Sequence, residues 1–281
     1  TLDLVIELTK ELYKFDTSSY IPIKHKKINI GWIHKNNSEI LKFLKKENDF
    51  IDAKQVSDIS MDKNFYAKKG KKKFEFCPVF KNSSVSPKKK FHHEKIFGLN
   101  KLFDIERDLL SPLGLPQYGI HANGWHKEKS EYFFHFALRS KKIKYFPNLY
   151  DNIFAGGQPS DLSIRKNLEK EAFEEAGIKI LKKNLTRGNT ISYIHNYSDQ
   201  IHSGTIFIYD YKIEKNHILQ NHDGEVQGFE IICVTELDKI LEKKLLKPNC
   251  IIPIADFFLR NMRDFFPIKG ILELKKLLGI K

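Results

Sequence analysis

Residues Gly156–Ile178, GGQPSDLSIRKNLEKEAFEEAGI, decide how the rest of the chain reads, because they lead a loop into a helix that carries carboxylates. Ser163 is placed to cap that helix, neither Gly nor Pro interrupts 164–176, and Gly177 stands where helices commonly end in the left-handed conformation. A helix of about three to four turns is expected. On it Glu171, Glu174 and Glu175 fall at i, i+3 and i+4, one face of the cylinder. One reading is a solvated acidic face offset by Lys166 and Lys170. The other is a divalent-cation site built from hard oxygen ligands. Three carboxylates near a helix C-terminus oppose the macrodipole, which gives the second reading a reason to exist that the first lacks.

These residues resemble the signature of the Nudix hydrolases, G-x5-E-x7-R-E-U-x-E-E-x-G-U with U aliphatic. The matching positions are Gly156, Glu171, Ala172, Glu174, Glu175, Gly177 and Ile178, with Lys170 at the Arg position and Leu162 where the signature has its first Glu. In the family those two positions commonly form an ion pair that braces the loop against the helix; Lys keeps the charge but not the planar fork. The resemblance implies an αβα sandwich with a mixed sheet. It also implies Mg2+ or Mn2+ held by Glu171, Glu174, Glu175 and the chain at Gly156, with Lys170 orienting Glu171.

The resemblance extends beyond that helix. YGIHANGW at Tyr118–Trp125, the stretches 137–159 and 222–230, and KPNCIIPIADFFLR at Lys247–Arg260 look like the Nudix group related to thiamin pyrophosphokinase, in some fungi fused to it. Its members carry an N-terminal domain of about this size. What the group implies is hydrolysis of thiamin-like diphosphates, notably oxidised or damaged forms, to the monophosphate. A broader nucleoside-diphosphate hydrolase, acting on ADP-ribose or a dinucleotide, is the alternative. A non-catalytic module that binds a ligand or RNA is expected to have lost a metal carboxylate, and all three remain. An isopentenyl-diphosphate isomerase needs a Cys in the approach to the helix, and LYDNIFAGG has none.

A diphosphate resists attack until its oxygens are neutralised and a water is aligned with the phosphorus. The general base is then one of the helix carboxylates, Glu171 or Glu175, or Glu225 in the downstream HDGEV turn. Arg139, Lys141, Lys142 and Lys144 are candidates for phosphate, and His121 and Asn123 for the organic moiety; each also reads as an ordinary strand, turn or solvated residue.

With 281 residues and 41% hydrophobic content, the length fits two modest domains, 1–112 and 113–281. The net charge of +13 comes mainly from dispersed Lys, with no RNA-binding aromatic signature, so a nucleic-acid partner is not expected. A basic surface still draws small polyanions by steering. No apolar run of about 18 residues occurs and the start lacks signal-peptide order, so a cytoplasmic protein with no membrane partner is expected. Cys77, Cys233 and Cys250 show no paired or zinc-type spacing and read as core thiols. The sequence sets no oligomeric state.

A first helix is expected over 3–14, two strands within IPIKHKKINIGWI, a helix capped by Ser38 through EILKFLKK, and a short strand at DFIDA. AKKGKKK and SSVSPKKK read as loops, KFEFCPVF as a strand and LFDIERDLL as a helix. The second half reads as strands at QYGIHANGWH, EYFFHFALRS, NTISYIHNY, GTIFIYDYKI and VQGFEIICV. Helices at ELDKILEK, NCIIPIADFFLRN and GILELKKLLG then cover the sheet.

Overall fold

The computed structural model describes residues 1–62, 74–81, 101–214 and 217–280. The lysine run at 67–73 and the loop at 83–90 lie outside them.

The first half begins with helix α1 (Leu2–Glu11) and continues through β1 (Tyr20–His25), β2 (Ile28–His34), the one-turn α2 (Ser38–Leu41), β3 (Lys46–Glu47), β4 (Phe50–Asp52) and α3 (Ala53–Met61). The four strands make a sheet in the order β2-β1-β4-β3. Asn37, one residue before the expected cap, accepts the Ile40 N–H at 3.2 Å, and α2 ends well short of residue 45. β5 (Phe76–Phe80) and β6 (Lys101–Glu106) then pair as an antiparallel ribbon.

The segment LFDIERDLL is thus a strand followed by a 3-10 turn at Arg107–Leu109, not the expected helix. Its alternation explains the difference. Phe103 and Ile105 stand opposite Val79 and Cys77, burying Ile105 completely, and this cross-strand packing overrides helical propensity.

The second half supplies β7 (Gln117–Glu128), β8 (Glu131–Arg139), β9 (Tyr150–Asp151), β10 (Phe154–Gly157), helix α4 (Ile164–Ala176), β11 (Leu185–Tyr197), β12 (Gln200–Lys212) and β13 (Val226–Cys233). Helices α5 (Asp238–Glu242), α6 (Ile251–Asn261) and α7 (Ile268–Leu277) follow. The sheet runs β11-β12-β7-β8-β13, with β10 on β7 and β9 on β8, and it is mixed because β12 and β7 are parallel. Alternation along β12 sorts the two faces. Ile206 and Ile208 join the core formed with α1, α6 and α7, whereas Phe207, Tyr209 and Tyr211 join the core under α4. The result is the αβα sandwich. Each buried large apolar side chain here, such as Phe207 or Phe257, is worth about 1.5–3 kcal/mol relative to exposure.

Helix α1 lies in the same core as α6 and α7, where Leu2, Val5 and Ile6 are buried. Gly270 makes this possible, since a Cβ there would stand 2.6 Å from a Leu2 methyl. The remainder of the first half has its own core around Ile23, Ile30, Ile51 and Ile105. Cys77, Cys233 and Cys250 are free and buried. No helix among the described residues is long and apolar enough to cross a membrane.

Candidate active site

Helix α4 begins where the sequence indicates. Ser163 Oγ accepts the Lys166 N–H at 3.2 Å, a cap worth about 1 kcal/mol, and Gly177 ends the helix at φ +68°. Leu168, Ala172 and Ala176 bury its apolar stripe against the sheet. The loop before it is braced by amides instead of an ion pair: Gln158 Nε2 donates to Leu162 O at 2.7 Å, and Asn167 Nδ2 to Gly157 O at 3.0 Å. Leu162 therefore contributes its carbonyl at the place where the signature has a carboxylate.

The three carboxylates occupy different environments. Glu175 is buried and accepts the Ala155 N–H at 2.7 Å. Glu171, also buried, lies against Gly156, where any Cβ would overlap its carboxyl group. Glu174 is half-exposed, and Lys170 Nζ spans it and Glu171 at 2.8 and 3.0 Å. Burial pushes the Glu171 pKa up, partly offset by Lys170. Burial pushes Glu175 well above the carboxylate range, and the charges of Asp151, Glu171 and Glu225 add to it. Buried Glu171 and Glu175 repel each other, a pairing that a hard divalent cation would relieve, and Gly156 leaves the room that the Glu171 carboxyl takes up; the three α4 carboxylates do not themselves converge within 4.8 Å among the described residues.

Glu225 is exposed on the turn before β13, its carbonyl accepting the Ser140 N–H at 2.7 Å and its own N–H donating to Asp223 Oδ1 at 2.8 Å. It lines a cleft of about 690 Å³ that also includes Gly156, Gly157, His121, Arg139, Lys144 and Lys247. Lys144 stands over the Tyr145 ring, 4.8 Å from its centroid. Lys141 and Lys142 are exposed and do not line the cleft.

Arg139 is committed to structure. Its guanidinium binds Asp151 Oδ2 at 2.7 Å and the carbonyls of Phe146 and Tyr145 at 3.2 and 3.1 Å, bracing the loop between β8 and β9. Asn123, expected at the organic moiety, is buried away from the cleft, where Nδ2 donates to Asp210 and to Pro253 O, both at 2.9 Å. His121 does line the cleft. Its Nδ1 meets Asn152 Oδ1 at 2.8 Å, and burial, with Lys247 nearby, pushes its pKa down to about 4, so the ring is neutral at physiological pH.

His121, Asp151 and Cys250 bring ligand-type atoms within 4.8 Å of one another. The Cys250 thiol donates to Asp151 at 2.8 Å, and Asp151 also binds Lys247 at 2.8 Å and Arg139. Burial opposes the Asp151 charge, yet Lys247 and Arg139 hold its pKa below the usual range. Two cations already satisfy this carboxylate, so the trio anchors the cleft floor electrostatically and is a poor competitor with the α4 carboxylates for a metal.

No family model matches the chain. Among curated proteins it is similar to Nudix hydrolase 24, chloroplastic, of Arabidopsis thaliana, 27% identical over 252 residues, covering 86% of this chain and 68% of the relative. Nudix hydrolase 20, chloroplastic, of the same plant is 29% identical over 167 residues, 59% of this chain and 45% of the relative. Both curated relatives are Nudix hydrolases by name, and both match this chain at under 30% identity.

Solved structures give a looser match to the chain. The MutT protein of Methanosarcina mazei Go1, a solved structure, overlaps it at a TM-score of 0.38 and 19% identity, over 54% of this chain and 96% of that one. Several residues of the cleft carry no mark in the sequence. Nothing local marks Asp151 and Lys247 as partners, 96 positions apart. Tyr193, His195 and His202 line the cleft from the β11–β12 hairpin, and Arg107 and Glu75 from the first half. For these the sequence holds no signal short of the fold.

Proposed function

We propose that the protein hydrolyses the diphosphate linkage of a small organic diphosphate, with thiamin diphosphate analogues in oxidised or damaged form as first choice, releasing the monophosphate. The observation that carries this reading is the pair of buried carboxylates, Glu171 and Glu175, next to the glycines that line the cleft. Glu171, Glu174 and Glu175 would hold Mg2+ or Mn2+, with the chain at Gly156. The ion, when bound, supplies neutralisation of the diphosphate oxygens and acidifies water. Lys170 keeps Glu171 oriented. Glu225, whose charge reaches Glu175, is the candidate base that takes a proton from the attacking water, with Glu171 or Glu175 as the alternatives.

The organic part meets a wall of Tyr193, His195 and His202, with the two imidazoles 5.6 Å apart between centroids. Burial pushes the His195 pKa down to about 4, and burial lowers His202 as well, so the wall is uncharged and suits a planar ring, a cationic one included. An adenine fits the same wall, which keeps a nucleoside-diphosphate substrate as the second reading. We further assign 1–112 and 113–281 as two domains and the cytoplasm as the location.

The test is a hydrolysis screen with magnesium or manganese across thiamin diphosphate, its oxidised forms, ADP-ribose, a dinucleotide and capped RNA. Preferential release of thiamin-type monophosphate is expected. Preference for ADP-ribose or the dinucleotide installs the second reading, and cleavage of none overturns both.

A further inference from the structure

The β5–β6 ribbon of the first half sits directly on the loop that feeds the carboxylate helix. Ser160 N–H donates to Phe76 O at 2.8 Å, the Ser160 hydroxyl bonds the Asp104 carboxylate, and the Phe80 ring packs edge-on against Tyr118 at 5.3 Å. This docking brings Arg107, in the turn after β6, against Gly157. A Cβ on residue 157 would stand 3.0 Å from both Arg107 Cζ and Nη2. Glu75 holds the arginine twice, through its carbonyl to the Arg107 N–H at 2.9 Å and through Oε2 to Nη1 at 2.6 Å. The side chain is nonetheless 47% exposed, and it lines the cleft.

The Arg107 charge also reaches Glu171, offsetting a part of the rise that burial imposes there. A fixed guanidinium beside a carboxylate that would hold a divalent cation repels that cation, so on metal binding alone the arrangement is unfavourable. It becomes favourable when an anion lies between the two positive charges, and a planar fork with donors left over after one ion pair matches phosphate oxygens.

We propose that Arg107 binds the diphosphate of the substrate, a group that the first half of the chain supplies to the carboxylate site, with Glu75 holding it ready. This rests on the reading of that site as a diphosphate site and explains what the attached first half does for it.

The test uses the full chain with Arg107→Gln, Arg107→Lys and Glu75→Gln. Binding is measured by calorimetry for Mg2+ alone and for inorganic pyrophosphate in the presence of Mg2+, together with kcat and KM for any diphosphate that is cleaved. For Arg107→Gln, pyrophosphate affinity should fall by about tenfold or more while Mg2+ affinity holds or tightens, and KM should rise by more than kcat falls. Arg107→Lys should recover part of the loss, and Glu75→Gln should show a smaller one. A merely structural role would weaken Mg2+ and pyrophosphate together, and that outcome overturns the proposal, as does unchanged pyrophosphate binding in Arg107→Gln or none by the parent protein. A parent that binds pyrophosphate but cleaves no diphosphate defeats the hydrolase reading and leaves the arginine assignment to stand on the binding data.

Discussion

Gly156 and Glu171 are fitted so closely that residue 156 has no room for a side chain: a Cβ there would overlap the Glu171 carboxyl carbon and stand 2.6 Å from its Cγ. The requirement is steric, not conformational. Gly156 lies in β10, paired with Ile120 of β7, so the backbone cannot retreat without breaking the ladder that also positions Ala155 N–H on Glu175.

Gly156→Ala is therefore expected to displace Glu171 and to lower kcat by about a hundredfold, since roughly ångström misplacement of a catalytic group is enough for that. The fold should survive, because the change adds one methyl group and takes no apolar side chain out of the core under α4. Near-parental turnover by a folded Gly156→Ala protein would show that Glu171 is not where the chemistry needs it.

Removing one carboxylate at a time separates metal binding from folding. Glu175→Gln keeps an oxygen that can accept the Ala155 N–H, and Glu174 is half-exposed, so neither change empties the core. Each should lower turnover by on the order of a hundredfold or more, the scale of losing a preorganised electrostatic contact in a transition state. A variant with near-parental rates at saturating magnesium would defeat the metal assignment.

What the sequence made legible was local. The cap at Ser163, the left-handed Gly177 and the shared face of the carboxylates follow from helix geometry over a few residues, and the strands of the main sheet follow from alternation and β-branched content. Asn123 was misplaced because strand parity puts it on the same face as His121 without telling how far the cleft extends; two residues further along β7, Asp210 and Pro253 O already claim it. Arg107 and Glu75 were invisible for a different reason. Their place depends on how one half docks on the other, and the segment that carries Arg107 was itself read as a helix because its pairing partner is distant in sequence.

Glu225→Gln tests the base. Its carboxylate acts on Glu175 from an exposed turn whose backbone is tied to Ser140, so substitution should leave the fold and metal affinity nearly unchanged. If Glu225 takes the proton, kcat should fall by about a hundredfold or more while KM moves little. Intact diphosphate cleavage by the variant would return the role to Glu171 or Glu175.

Stability should fall with acid in a defined window. His126 Nδ1 and His135 Nε2 are 2.8 Å apart, a contact that needs one donor and one acceptor, and His135 Nδ1 is buried without a partner among the described residues. Burial, then His126, pushes the His135 pKa from 6.5 down to about 4. The unfolded chain therefore binds the proton first, so the contribution is present above 6.5 and is lost as pH falls toward 4. After allowance for solvent screening it is on the order of 2 kcal/mol. Urea midpoints between pH 7 and 4 should drop less steeply for His135→Gln, and parallel curves would remove His135 from the account.

Lys170→Ala is expected to separate orientation from ligation. The ammonium sits between Glu171 and Glu174, and those contacts raise its own pKa, so it is charged throughout the working range. It stands in part for the charge a metal would bring, and in part it competes with that charge. Its removal leaves two carboxylates facing each other in the metal-free protein, which lowers the thermal midpoint, while binding of a cation relieves the repulsion. The magnesium-induced rise in the midpoint should consequently be larger in Lys170→Ala than in the parent at equal concentration. Turnover should drop by about 10–100-fold, as for loss of a group that orients a ligand, and by less than in Glu174→Gln or Glu175→Gln. A loss equal to theirs, together with a smaller magnesium effect, would mean that Lys170 contacts the substrate itself and that its contacts with Glu171 and Glu174 are secondary.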